Sequence, residues 1–413
     1  MPEVLDEEVD ITLKTKRWLY IPLGILIFMC MGAVYSWSVF RKPVEDLLNI
    51  SATQSGLPYM VFLVFYAVLM PIAGGFIDDY GPKLVTMVGG GLVGLGWFLS
   101  SFATSIIQLA ITYGVIAGAG VGIAYGAPMA VAAKWFPDKK GLAVGLTLGG
   151  FGLSPFITAP LANWLIDVYG LFNAFRFLGI AFTIIIIILA LPLKFPQGNL
   201  GIKDHNSEDF VADDLDLNVK AMIKTTSFYG LWLCFIVGTL IGLMAIAITS
   251  PVAEEVVNLD SQTAAFMISL FAIFNGVGRP IFGWLTDEFG PKYAAILSYL
   301  LIILASILML NVQESSMVLY GIAFSILWLN LGGWLAIAPA ATAILFGDQN
   351  YSKNYGVVFT AYGIGAVLGN LISGNLRDLL GSYIYTFYPV IILSILGIIT
   401  SIFLLKKPKQ KVK

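Results

Sequence analysis

Apolar residues in this chain fall into long unbroken runs rather than alternating with polar ones. Twelve runs stand out, at roughly 18–40, 54–77, 84–104, 107–133, 140–166, 172–194, 226–250, 262–286, 292–312, 316–346, 353–377 and 383–405. A hydrocarbon core about 30 Å thick is crossed by about 20 residues of helix. Each run therefore predicts a membrane-spanning helix. Length and punctuation carry the assignment, because lipid-facing and buried positions are both apolar. One polar break is much longer than the rest. It covers 196–224 and holds Asp204, His205, Glu208, Asp209, Asp213, Asp214 and Asp216. It predicts a linker between two six-helix halves, 1–195 and 225–413. Its acids read as a solvated loop in preference to a metal site. The expected fold class is an all-α membrane protein of twelve transmembrane helices in two six-helix bundles.

Composition agrees. The chain is 58% hydrophobic and 12% charged, with a mean hydropathy of +0.87. Soluble domains carry about 25% charged residues, so lipid is the solvent for most of this surface. A net charge of −2 says nothing about partners, and the lack of a basic patch argues against a nucleic-acid partner. Cys30 and Cys234 lie inside apolar runs and read as small core residues. With a single histidine, they form no metal-ligand pattern, and no phosphate-binding loop follows a strand. No cofactor is implied. The N-terminus is acidic and the first apolar run is long, which predicts a retained helix instead of a cleaved signal.

Basic residues give an orientation. With both termini in the cytoplasm, 18 of the 23 lysines and arginines fall on the cytoplasmic side. Arg41, Lys42, Arg176 and Arg377 fall on the other side, and Arg279 falls within a span. That asymmetry predicts a plasma-membrane protein with cytoplasmic termini.

Glycines are placed in register. Gly114, Gly118, Gly122 and Gly126 share one helix face, as do Gly141, Gly145 and Gly149, and Gly365, Gly369 and Ser373. Such faces let neighbouring backbones approach, and their smoothness would let helices rock. Pro128, Pro155, Pro160, Pro280 and Pro339 predict bends.

Two features carry chemistry. The first is a repeated loop: Gly74-x-x-x-Asp78-x-x-Gly81-x-Lys83 recurs 209 residues later as Gly283-x-x-x-Asp287-x-x-Gly290-x-Lys292. The glycine permits a tight turn. The carboxylate can accept from amides at the start of the next helix, and the lysine can pair with a neighbouring acid. The second is Arg279, inside the eighth run. A charge at membrane depth costs about 2.5–3.5 kcal/mol even on a lenient scale. No acid lies deep in any span to pair with it. A guanidinium fork matches a carboxylate bidentately, so the missing partner is read as an anionic substrate. Asn275 lies one turn earlier on the same face. Tyr35, Trp37, Tyr125, Trp328, Asn330, Trp334, Tyr362 and Asn370 also fall at membrane depth, as packing groups or as ligand contacts.

The duplicated loop resembles the signature loop of the major facilitator superfamily. The resemblance implies a pseudo-two-fold axis along the membrane normal, a central site and rocking alternating access, with Asp78 and Asp287 in gating. The expected oligomeric state is a monomer. A narrower likeness rests on Ala33-Val34-Tyr35-Ser36-Trp37-Ser38, on Gly118 to Gly126, on Lys134-Trp135-Phe136-Pro137-Asp138-Lys139-Lys140-Gly141, on Phe274-Asn275-Gly276 with Arg279-Pro280, and on Asn354-Tyr355-Gly356. These stretches resemble the oxalate:formate antiporter family, which is close to the monocarboxylate porters. By that resemblance Arg279 binds the anion, with Tyr35 and Tyr125 near it. The family's oxalate exchanger carries a lysine in helix 11, where this chain has Tyr362. Phe151 stands where a tyrosine is expected.

One cation balances one carboxylate, and a second carboxylate would be left unpaired in an apolar cavity. The expected substrate is therefore a small monocarboxylate of the lactate, pyruvate, formate or acetate type, ahead of oxalate. Exchange, or symport with a proton carried alongside the anion, fits the absence of a buried acid. An exporter of another solute is the competing transport reading, and a lone buried arginine disfavours a cationic cargo. No nucleophile, metal or cofactor constellation supports an enzyme.

Overall fold

The computed structural model describes residues 17–136, 140–196, 217–314, 316–347 and 350–406. Most of the expected linker, the N-terminal tail and the last lysines lie outside them. The described residues are helical throughout, with twelve helices long and apolar enough to cross a membrane. In the first half these are α1 (Arg17–Leu48), α2 (Ala52–Ile77), α3 (Asp79–Ser100), α4 (Ile106–Trp135), α5 (Leu142–Tyr169) and α6 (Leu171–Ala190). In the second half they are α7 (Thr226–Glu255), α8 (Ser261–Phe289), α9 (Pro291–Leu310), α10 (Met317–Phe346), α11 (Lys353–Leu380) and α12 (Tyr383–Leu404). Helices are the only open-chain way to satisfy every backbone polar group in hydrocarbon.

The surface is apolar where a soluble protein would be polar: Val68, Ile72, Ile184, Phe403 and many like them are exposed. The interior is built from small and aromatic residues. Gly118 faces the backbone of Phe62 on α2, and Gly369 faces Leu240 on α7, so close that a Cβ at either would overlap its neighbour. Those two faces pack as expected. Gly145 and Gly149 differ, since no atom of a neighbouring helix lies within 4 Å of a Cβ built at either. Ends are capped where the sequence offers a side-chain oxygen. Thr225 accepts from the Phe228 amide at 3.1 Å to start α7. Asp260 accepts from the Thr263 amide at 2.9 Å to start α8, and the Thr263 hydroxyl at 2.7 Å, together with that amide, draws its carboxyl below the usual range.

The duplicated loops adopt one conformation twice. Gly81 has φ 80° and Gly290 has φ 85°, a region that strains any residue with a Cβ. The first breaks an otherwise continuous helical run between α2 and α3.

The halves meet along two helix pairs, α2 with α11 and α5 with α8, and α1 also touches α7. Among the described residues, the hydrogen bonds that cross between halves lie near mid-membrane or on the side opposite the termini, here called the far side. Mid-membrane bonds include Tyr35 to Tyr362 and Arg279 to Leu148. Far-side bonds include Arg41 to Ala247 and Thr53 to Asp378. This conformer is closed on the far side.

Helix α1 runs past the expected end near residue 40 and takes Arg41 and Lys42 into the helix. Arg41 is fully buried, not placed in a loop. Its Nε donates to Ser55 Oγ at 2.9 Å and its Nη1 to the Ala247 carbonyl at 3.4 Å. Its guanidinium also pairs with Glu45 at 3.5 Å. Glu45, one turn on in α1, compensates the charge, and groups of α2 and α7 accept its N–H donors, so it does not end the helix.

Candidate functional site

Tyr35 sits in a 3₁₀ turn, Gly32–Ser36, that interrupts α1 at mid-membrane. Such a turn inside a long helix often marks a hinge or a strained functional segment. Here the break aims Tyr35 across the seam, and its hydroxyl shares a hydrogen bond of 2.9 Å with that of Tyr362 on α11. Both rings are buried. Around them lies an aromatic group drawn from both halves. Tyr35 meets Phe151 edge-on at 5.1 Å, Phe151 meets Tyr125 at 5.5 Å, and Tyr125 meets Tyr66 at 5.0 Å. Tyr66 then contacts Phe359 at 5.7 Å and Tyr362 at 5.6 Å. Offset and edge-on arrangements of this kind are the favoured ring geometries.

Arg279 lies against this group from α8. Its side chain is 9% exposed. Nη1 donates to the Leu148 carbonyl of α5 at 2.9 Å. Nε and Nη2 have no hydrogen-bond partner and are shielded from water. These two nitrogens lie on one edge of the planar guanidinium, the edge that grips both oxygens of a carboxylate. No acid is paired with Arg279 among the described residues. Tyr355 joins the aromatic group through Phe359, ring to ring at 5.7 Å. The close approach of α5 depends on Gly152, where a Cβ would lie 2.6 Å from Asn275 Oδ1 and 3.2 Å from Arg279 Nη2.

Asn275 is fully buried. Its Nδ2 donates to the Trp328 carbonyl at 3.2 Å, and its Oδ1 has no partner. Trp328 lies elsewhere: its indole N–H donates to Thr249 Oγ1 of α7 at 3.1 Å, and its ring packs on Phe271. It reaches the site only through its backbone carbonyl. Arg279, Tyr35, Tyr125, Asn275 and Tyr362 are thus brought together, and the Trp328 ring is not. Trp37 belongs to a separate stack with Tyr113 and Phe40 inside the first half. Tyr66, Phe359, Tyr355 and Gly152 were not anticipated. Tyr66 carried a signal: it is the residue 209 positions before Asn275.

At the duplicated loops, Gly74 faces open space and Gly283 lies 3.8 Å from Ala336 when a Cβ is built on it. The Asp78 side chain lies outside the described residues. Asp287 and Lys83 are exposed. Among the described residues, Lys292 is paired with no acid. Its ammonium lies over the Tyr293 ring at 5.4 Å instead. These loops are at the ends of the helices on the side of the termini, where no bond among the described residues crosses between the halves. An apolar cavity of about 370 Å³ opens nearby, between Leu69, Phe76, Tyr80, Val88 and Ile123. It contains no charged group and is remote from Arg279.

A membrane bundle of twelve helices in two halves, with a buried cation beside an aromatic group at mid-membrane, defines a membrane transporter. The chain belongs to the Major Facilitator Superfamily, whose model matches residues 23–344 and 230–413. It is 32% identical to the oxalate:formate antiporter of Oxalobacter formigenes, over 86% of this chain and 83% of that one. It is 24% identical to human monocarboxylate transporter 12, over 90% of this chain and 77% of the relative. In fold it is similar to a bacterial homolog of the human lysosomal transporter Spinster, crystallised inward-facing and unoccupied. The TM-score is 0.73 at 16% identity, covering 96% of this chain and 99% of that one. The family consists of transporters and not enzymes.

Proposed function

We propose that this protein is a secondary transporter of small organic anions, suited to single carboxylates, with Arg279 as the binding cation. The observation that carries the reading is the free Nε–Nη2 edge of a buried guanidinium whose Nη1 is already tethered to Leu148. One carboxylate fits that edge and neutralises the only charge at the site. The tyrosine hydroxyls beside it are neutral donors for the rest of a small substrate.

The relatives support the anion class. An oxalate:formate exchanger is the second reading, favoured by the 32% identity to the antiporter. Tyr362 argues against it, because an uncharged ring in α11 leaves the second carboxylate of oxalate without a counter-ion.

Exchange follows from the same electrostatics. An empty carrier that occludes must bury an unneutralised guanidinium, whereas a loaded one buries a pair. Symport with a proton carried by the anion is the alternative. With the termini in the plasma-membrane cytoplasm, the present conformer faces inward. The two Gly-x-x-x-Asp loops would then close the inner side in the opposite conformer, and the protein would work as a monomer.

The test is uptake into proteoliposomes across a carboxylate panel, with and without internal anion and with and without a pH gradient. Lactate-sized monocarboxylates are expected to be taken up by wild type, and uptake is expected to fall at least 100-fold in Arg279→Ala. Undiminished uptake in that variant would overturn the reading. Oxalate uptake equal to lactate uptake would favour the second one.

A further inference from the structure

The far-side seal contains a contact that neither the anion site nor the duplicated loops use. Asp378 stands near the end of α11, in the second half. Its Oδ1 accepts from the Ala52 amide at 3.0 Å, and its Oδ2 accepts from the Thr53 amide at 3.0 Å and from Thr53 Oγ1. Ala52 and Thr53 are the first two residues of α2, in the first half. A helix start leaves its first amides without intrahelical partners and concentrates positive potential there. The local cap, Ser51, accepts only from the Gln54 amide. Asp378 supplies the missing acceptors from the other half of the molecule.

The fit is built on both sides. A Cβ at Gly374, one turn before Asp378, would lie 2.6 Å from the Thr53 Cα, so only a glycine lets α11 come this close. The neighbouring Arg377 is held within its own half by Glu255 at 3.0 Å. Asp378 is therefore the acid left to reach across. Around it stand Arg41 with Glu45, both of α1, and the Tyr383 ring of α12 over the Arg41 guanidinium at 5.4 Å.

We propose that Asp378 is an interdomain latch: it caps α2 from the opposite half and so biases the carrier toward the far-side-closed conformer. When the halves part on that side, the cap is lost and both partners return to water. The contact thus exists in one conformer only, which is the condition for shifting a population. Asp378 is exposed, so the shift belongs at the low end of measured couplings, about fivefold.

The test uses the full chain in liposomes, with spin labels at Leu47→Cys and Leu379→Cys. These exposed positions sit at the far-side ends of α1 and α11. Pulsed electron–electron distances report the separation of the halves. Asp378→Asn is expected to raise the population of long distances about fivefold. Thr53→Val removes the hydroxyl donor alone and is expected to shift it less, in the same direction. A lower melting temperature with an unchanged distance distribution in Asp378→Asn would overturn the proposal. If Asp378→Asn fails to fold, Thr53→Val decides, and an unchanged distribution there overturns it too.

Discussion

Two seams hold the halves together, and the duplication relates them. At one, Tyr66, Ala67 and Pro71 of α2 meet Tyr362, Gly363 and Gly356 of α11. At the other, Asn275, Gly276 and Arg279 of α8 meet Gly152, Leu153 and Leu148 of α5. Counting back 209 residues sets Asn275 on Tyr66, Gly276 on Ala67, Arg279 on Met70 and Pro280 on Pro71. The proline inside each helix is retained, and its neighbours have diverged. The α2 seam is filled with rings and is neutral. The α8 seam exchanges a tyrosine for an asparagine, an alanine for a glycine and a methionine for a cation. Smaller groups and one charge distinguish the proposed binding seam from the packing seam.

The strongest way to break this comparison is to move the charge. Arg279→Met combined with Met70→Arg keeps composition and pseudo-symmetry. It is expected to lower carboxylate uptake at least 100-fold, because α11 offers no equivalent of the Leu148 tether or the Gly152 gap. Recovery of uptake would show that the seams are interchangeable. A smaller effect comes from adding charge to the neutral seam. Tyr362→Lys is expected to raise the ratio of oxalate to lactate uptake about tenfold, by supplying a second counter-ion.

Removing only a hydroxyl is gentler. Tyr35→Phe ends the 2.9 Å bond to Tyr362 and is expected to raise the half-saturation concentration about threefold to tenfold, since a buried acceptor loses its partner. The smallest change is expected from Trp328→Phe. Its indole N–H is engaged with Thr249, and the site uses only its backbone carbonyl. Half-saturation should stay within about twofold. A larger loss would place that ring in the binding path.

The scaffold was legible because lipid leaves few choices. Apolar runs of sufficient length had to be helices, and the repeated loop fixed their pairing into halves. Arg279 was legible because a charge inside a run is costly and therefore conspicuous. Other parts were hidden for physical reasons. Arg41 stood just past the expected end of a run and read as an outer-side residue, since sequence gives no view of the α2 and α7 groups that accept its hydrogen bonds. Trp328 read like any aromatic at membrane depth, and rotation about the α10 axis decides which way it faces. Gly152 was one glycine among 43, and only the approach of α8 singles it out. Gly145 and Gly149 repeat the spacing of a packing face, but in this conformer nothing packs on them.

In the proposed complex one carboxylate occupies the Nε–Nη2 edge of Arg279. Calorimetric titration of lactate into the purified full-length protein, wild type against Arg279→Gln, tests it most directly. The account predicts one site per chain in wild type and at least a 100-fold weaker affinity in the variant, in keeping with loss of a buried charge-assisted pair. Lactate binding retained within about twofold in Arg279→Gln would contradict it.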